Sequence, residues 1–290
     1  MKYQFIKNQK AIYRVSRLCG VLAVSKSGFY DWLKREVSNR SKQNQALLKK
    51  IMVISKHSNE RYGAPRIHAE LQAIGERVGK NRVAKLMRSA RIQAKMHQKF
   101  KWVQKSRAQN NRQSDEENYL NRKFNASKPN EKWVSDTTQV KTRKGWLYLA
   151  MIMDLYSRRI IGWSMACRNT EKLAIDALEM AISCRGNVKN VLLHSDQGVQ
   201  YTSWAYRQLL KEEGIMYSLS RKGNCWDNAP AESFFHTLKT ELVMFEDYNT
   251  INEAKMSLFS YIESFYNRKR RHSTIGYKTP YEYEELLLAA

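Results

Sequence analysis

The chain has 290 residues, enough for about two domains and for a core that needs no metal or disulfide staple. Hydrophobic residues make up 42% and charged residues 27%, which excludes a wholly disordered chain, and no apolar run reaches the ~18 residues of a membrane span. The net charge is +24 and uneven: residues 1–130 hold 30 Lys and Arg against 8 Asp and Glu, residues 131–290 hold 21 against 19. A first half this basic calls for a polyanion, most often nucleic acid, with a solvated basic surface as the plainer alternative. The segment Met1 to Lys10 is basic and lacks the apolar stretch of a signal peptide, so the chain reads as cytoplasmic. Cys19, Cys167, Cys184 and Cys225 are far apart, which excludes a zinc finger and argues against a disulfide framework.

The basic half reads as short helices. From Arg14 to Trp32, apolar residues recur at helical spacing, Gly20 marks a turn and Ser25 is placed to cap a second helix. Helix, turn, helix is the shape of a DNA-binding helix-turn-helix, whose second helix would present Lys26 to the major groove. A second segment of this kind spans Tyr62 to Arg91, with Pro65 in a first helical turn and Gly75 and Gly79 breaking the pattern. Its later helix buries Val83, Leu86 and Met87 and offers Arg82, Lys85 and Arg88 to phosphates or guanines. An ordinary helical bundle would share these patterns. Residues 93–130 read as a basic linker, with Lys95, Lys99, Lys101, Lys105, Arg107 and Arg112 able to follow a phosphate backbone.

The pattern changes at Trp133. Strands are expected at Lys132–Val140, Gly145–Asp154 and Arg159–Met165, joined by short loops as an antiparallel meander. A helix capped by Thr170 follows, then a strand at Val191–Asp196, a helix at Ser203–Lys211 and a strand at Ile215–Leu219. A long helix is expected from about Pro230 to Val243. That order is the order of a ribonuclease H-like mixed sheet. The fold class is therefore α/β, a ribonuclease H-like mixed-sheet catalytic core preceded by an all-α helix-turn-helix region. A capping box at Thr250 and Glu253 opens a last helix, with Met256, Phe259, Ile262 and Phe265 expected to face the core.

Three acids stand out on this frame. Asp136 lies mid-strand, Asp196 ends the fourth strand and Glu232 lies in the first turns of the long helix. In such a topology the first and fourth strands are neighbours and the helix packs beside them, so the three carboxylates can meet at one edge. Like charges brought together repel unless cations bind. Mg²⁺ suits an all-oxygen site, and a pair of such ions can assist an in-line displacement at phosphorus. Taken singly, each acid also fits a structural role, as a strand-end cap, a turn former or a helix N-terminal acid. Asp154, which ends a buried strand, reads as a structural turn residue. Arg268, Arg270 and Arg271 form a basic cluster read as a phosphate contact, with a solvated helix end as the alternative.

Asp196 and Glu232 have 35 residues between them, and Asp136 lies upstream in WVSDTT. With YGAPRI, GWLYLAMIMDLYSRRIIGWSM, HSDQGVQY, KGNCWDNAPAESFFHTLKTE and YNRKRRHSTIGYKTP, nearly the whole chain resembles the orfB-type transposases of the third-numbered bacterial insertion-sequence family, within the Asp-Asp-Glu transposase and retroviral-integrase superfamily. The resemblance implies residues 1–92 as a helical DNA-binding region, 93–130 as a linker and 131–290 as an integrase catalytic core with a C-terminal basic helix. It implies Asp136, Asp196 and Glu232 as a catalytic triad holding two Mg²⁺ ions, with Mn²⁺ as a substitute. Lys239 matches the basic residue seven positions after the glutamate, and two helical turns keep it on the face of Glu232. His236, on the same face, is read as a DNA contact. The activity implied is cleavage and strand transfer at the ends of an insertion sequence. The implied partners are the element's terminal inverted repeats, target DNA, an upstream-frame product fused or associated with this one, and at least a second copy on DNA. A non-catalytic DNA-binding regulator and a ribonuclease H-type nuclease remain open at this point.

Overall fold

The computed structural model describes residues 1–95, 118–221 and 224–288. The linker positions Lys99, Lys101, Lys105, Arg107 and Arg112 lie outside the described residues. The chain opens with α1 (Lys2–Gln9), α2 (Val15–Val21) and α3 (Lys26–Lys34), which close around Ile6, Cys19 and Phe29. The last two are the first expected helix-turn-helix pair. Ser25 caps α3 by accepting from the Gly28 N–H at 3.2 Å, which satisfies one of the orphan donors of a helix start.

A long helix, α4 (Asn39–His57), then leads to α5 (Ala64–Ala73) and α6 (Lys80–Ser89), the second expected pair. Leu47, Ile51, Ile67, Leu71, Val83 and Met87 belong to the same apolar cluster as the strands that follow. These three helices are thus packed onto the sheet unit. Residues 118–130 are also tied to it: Leu120 is buried, and its N–H donates to Ser218 Oγ at 3.1 Å. The core therefore begins upstream of the expected boundary at residue 131.

The sheet holds β1 (Lys132–Thr142), β2 (Gly145–Asp154), β3 (Ile160–Ala166), β4 (Leu192–Ser195) and β5 (Met216–Leu219) in the order β3-β2-β1-β4-β5. The first three strands form the antiparallel meander, while β4 and β5 join parallel to β1. Side chains alternate between two faces. Trp133, Ile152 and Leu193 face one cluster, which includes Ala174, Leu178 and Ala181 of α7 (Glu171–Arg185). Contact there is close, because a Cβ on Gly162 would sit 2.2 Å from the Ala177 carbonyl oxygen. Thr170 holds the N-cap position of α7, yet its hydroxyl makes no capping bond. Next come α8 (Val199–Thr202) and α9 (Trp204–Glu212).

Val134, Val140, Leu149, Met151 and Met153 line the opposite face, against α10 (Ala229–Glu241) and α11 (Ile251–Phe259). Asp136 has the parity of Val134 and Val140 and stands opposite Met151, so it belongs to the face that α10 covers. Helix α11 runs on into a π-helical stretch at Ser260–Tyr266, and α12 (Pro280–Leu288) ends the described chain. Ala254, Leu258, Tyr261, Ile262 and Phe265 are buried there, whereas Met256 and Phe259 are exposed, against expectation. The buried positions Ala254, Leu258, Tyr261 and Phe265 follow the i, i+4, i+7, i+11 spacing of one helical face, which puts Met256 and Phe259 on the outer side. Among the described residues no helix is long and apolar enough to cross a membrane.

Candidate active site

Three separate elements bring the acids to one edge. Asp136 is held mid-strand in β1, where its carboxylate accepts the Thr137 N–H at 2.7 Å. Asp196 follows the last residue of β4, which pairs parallel with β1, and accepts the Gly198 N–H at 3.0 Å. Glu232 lies in the first turn of α10. The start of that helix is fastened to β1 by Asn228, whose Nδ2 donates to the Ser135 carbonyl at 3.0 Å.

The loop before α10 is fastened as well. Asp227 is fully buried and accepts from Arg221 Nε at 2.8 Å, Arg122 Nε at 2.7 Å and Asn118 Nδ2 at 3.1 Å. Burial pushes its carboxyl up, but the Arg221 and Arg122 hydrogen bonds outweigh this and hold it well below the usual carboxylate range. Asp227 and Asn228 are positioning residues that sequence reasoning did not single out. The signal available was a run of short polar residues before Pro230, where capping and turn chemistry concentrate.

Electrostatics ties Asp136 to the other two acids. Burial, and next the charge of Asp196, push Asp136 up to about 8; Glu232 adds to the shift, while the Thr137 N–H and Lys239 oppose it. Burial also raises Asp196 and Glu232, with the Gly198 N–H pulling Asp196 back. Lys239, half-buried on α10, is lowered by burial and raised by Asp136. Asp136 thus feels two carboxylates and one ammonium. Such a set of hard oxygen donors matches a divalent cation in chemistry. Among the described residues, no three His, Cys, Asp or Glu side chains converge into a finished metal cage.

The expected DNA contacts are scattered. His236 is exposed on α10, one turn past Glu232. Lys26 is exposed at the start of α3, and Lys85 and Arg88 are exposed on α6. Arg82 is half-buried and gives Nε and Nη2 to Asn44 Oδ1 at 2.9 and 2.7 Å, an anchor between α6 and α4. Arg268 is exposed and stacks over Tyr281, 4.9 Å from the ring centre.

Arg270 and Arg271 depart from the expected phosphate-contact role. Arg270 is 4% exposed and clasps buried Glu241 through Nε at 2.9 Å and Nη2 at 2.8 Å. Arg271 pairs with Glu70 of α5 at 2.8 Å and donates to the Tyr277 carbonyl at 2.9 Å. A guanidinium withdrawn from water in this way is committed to its carboxylate partner. The same joint includes Tyr62, which donates to the Lys269 carbonyl at 2.8 Å, and Arg66, which reaches Glu241 at 3.3 Å. The YGAPRI and RKRRH segments therefore meet each other. Asp154, read as structural, is buried; it accepts the Asn130 and Tyr156 N–H groups at 2.9 Å each and pairs with Arg185 at 3.3 Å.

The chain is similar to several known proteins. A family profile described as an integrase core domain matches residues 126–225, and a second of that description matches residues 213–280. A profile described as an HTH-like domain matches residues 42–100, which takes in the second expected helix-turn-helix segment, at α5 and α6. The chain is 42% identical over 291 residues to "Transposase InsF for insertion sequence IS3A" of Escherichia coli strain K12, covering 100% of both proteins. It is 40% identical over 268 residues to "Insertion element IS600 uncharacterized 31 kDa protein" of Shigella sonnei, covering 92% of this chain and 97% of that one. A looser likeness joins it to the HTLV-2 integrase catalytic core domain in complex with magnesium, at 20% identity over 55% of this chain and 99% of that one, with a TM-score of 0.41.

Proposed function

The chain belongs to the IS3 family of insertion-sequence transposases, and from that premise we propose that Asp136, Asp196 and Glu232 form the catalytic centre of its DNA cleavage and joining. The observation that supports this reading is the meeting of three carboxylates from β1, β4 and α10 on one seam, with Lys239 as a cation whose charge reaches Asp136. In this reading the triad holds two Mg²⁺ ions, for which Mn²⁺ substitutes. When bound, such ions activate an attacking hydroxyl and stabilise the leaving oxygen.

The side chains have distinct tasks. Asp136, which burial and Asp196 push up to about 8, would release its proton to solvent in order to serve as a ligand for such an ion. Asp227 and Asn228 hold α10 so that Glu232 stays at the seam. Lys239 and His236 lie on the face of Glu232 and meet backbone phosphates of the element end. Lys26, Lys85, Arg88 and the Asn44-anchored Arg82 grip DNA away from the seam. Water attacks first and frees a 3′ hydroxyl. That hydroxyl then attacks a second phosphodiester, so one ester bond replaces another and no nucleotide cofactor is consumed. The substrates are the element's terminal repeats and target DNA. A second copy brings the other end, and the upstream-frame product assists as a fused or associated partner.

A plasmid assay tests this. DNA flanking the coding region is incubated with Mg²⁺ or Mn²⁺ and the protein, alone or fused to the upstream frame, as wild type or Asp196→Asn. Nicked and strand-joined products at an inverted repeat are expected from wild type only, with a loss on the order of 10³-fold or more in the variant. Equal products from both proteins overturn the assignment of Asp196. Hydrolysis without joining turns the reading toward a nuclease, and binding without any product toward a regulator.

A further inference from the structure

A pocket opens where three distant parts of the chain meet: α5, the turn between β2 and β3, and the segment after the π-helical stretch. Arg66, Arg158, Arg270 and His272 line it, with Ser233 and Thr237 of α10 beside them. Its charge is unbalanced. Arg270 and Arg66 share one carboxylate, Glu241, at 2.8 and 3.3 Å. The nearby Glu70 is taken by Arg271. Arg158 is half-buried, and among the described residues its guanidinium makes no hydrogen bond or ion pair.

The imbalance registers on its neighbours. Burial, and then the charges of Arg270, Arg66 and Arg158, hold the His272 imidazole far below its usual value, so it adds no charge of its own. Arg66 is likewise lowered by burial and by Arg270. Three guanidiniums thus face one carboxylate in a setting drier than bulk water. An unmatched cation in such a place is costly unless an anion completes it. Arg66 uses Nε and Nη1 on its protein partners, while all of Arg158's fork is open. Two hydroxyls complete a donor set of the kind that planar guanidiniums make around phosphate oxygens.

We propose that this pocket binds a phosphate group, with Arg158 as its principal ligand and Arg66, Ser233 and Thr237 in support. Ser233 and Thr237 each come one residue after Glu232 and His236 along α10, so the pocket flanks the face that carries the triad glutamate. A backbone phosphodiester of bound DNA fits that position. An occupant there would also join α5 to the catalytic sheet, since Arg66 comes from the helical half and Arg158 from the β2–β3 turn. Only the DNA source of the phosphate rests on the transposase reading; anion binding itself needs neither metal nor triad.

The test uses the full chain in EDTA, so that the triad plays no part. Thermal melting is followed against inorganic phosphate at constant ionic strength, with chloride as the control, for wild type, Arg158→Gln and Arg158→Lys. Wild type is expected to gain several degrees in a saturable manner, Arg158→Lys part of that, and Arg158→Gln none. Affinity for a short DNA duplex is measured against salt in parallel, and Arg158→Gln is expected to lower the log–log slope by about 1. A change in the slope, with or without the phosphate response, assigns the pocket to the DNA backbone. A phosphate response without it assigns the pocket to free phosphate. Equal melting responses and equal slopes for wild type and Arg158→Gln overturn the proposal. Should Arg158→Gln fail to fold, Arg158→Lys and Thr237→Val carry the same two readouts. Failure of the plasmid assay leaves both readouts unmoved, so the two proposals fail separately.

Discussion

The two ends of α10 hold a glutamate each, in opposite circumstances. Glu241, at the C-terminal end, has a fully buried side chain that receives Arg270 at 2.8 Å, the Tyr261 hydroxyl at 2.8 Å and Arg66 at 3.3 Å. Glu232, at the N-terminal end, acts on Asp136, which also feels Asp196 and the half-buried Lys239. One site is matched and joins two parts of the fold; the other is mismatched: among the described residues, Glu232 has no hydrogen-bond or ion-pair partner, and Asp136 and Asp196 accept one backbone N–H each. A buried charge that the fold itself satisfies is accounted for by architecture. A cluster of like charges that the fold leaves unsatisfied points outward, to something that binds.

The sharpest way to break this contrast is to remove a cation from the matched end. Arg270→Met strands Glu241 with too few donors, and loss of one partner from a buried pair costs about 3–5 kcal/mol. At a few degrees per kcal/mol, the melting midpoint should fall by roughly 10 °C. Glu232→Gln should move it by about 1 °C or less in the absence of metal. Calorimetry of both variants decides the matter. Similar losses in the two would mean that the ends of α10 do not differ as described.

The next effect has the opposite sign. Asp136 is pushed up to about 8 in the folded, cation-free protein but titrates near 3.9 when unfolded. Between those values the folded state holds the extra proton, so this carboxyl's contribution to stability is fully present below about pH 4 and is lost as pH rises towards 8. Asp136→Asn escapes that loss. In EDTA at pH 8–9 it should be more stable than wild type by up to a few kcal/mol, read as a rise of several degrees in the melting midpoint, and the gap should close at pH 4. Added Mg²⁺ should raise the wild-type midpoint and leave the variant unmoved. A gap that does not vary with pH would remove the electrostatic basis of the mismatch.

The mismatched end was the easier to read from sequence. Asp136 interrupts an apolar strand, and the spacing to Asp196 and Glu232 sets all three on elements that a mixed sheet brings together. The matched end was not legible, because its partners are remote. Arg270 is 29 residues from Glu241 and Arg271 is 201 from Glu70, so a run of cations read as surface proved to be a joint. Helix α4 also gave little local signal, since only Leu47, Ile51 and Ser55 are buried along its 19 residues. Along α11 the expected stripe, in steps of three, drifts off the helical period; the buried one runs through Ala254, Leu258, Tyr261 and Phe265 and leaves Met256 and Phe259 outside the core. The first helix-turn-helix pair, by contrast, followed from periodicity, glycines and the Ser25 cap, and the strand order from the ribonuclease H-like order of the elements.

The smallest expected effect concerns a cation at the mismatched end. Lys239 opposes the rise of Asp136, and burial lowers its own charge affinity. Its reach is shorter than that of an arginine fork, and it has no ion-pair partner among the described residues, so it remains available to a phosphate. Lys239→Gln should therefore do two modest things together. The salt dependence of DNA affinity should weaken by about 1 in log–log slope, with the fold intact. The pH at which Mg²⁺ begins to stabilise the protein should move upward, because Asp136 loses a nearby positive charge and releases its proton less readily. Lys239→Arg should restore both. A change in slope without the pH effect would make Lys239 a DNA contact that is electrostatically remote from the triad, and the pH effect without the slope would make it a counter-charge alone.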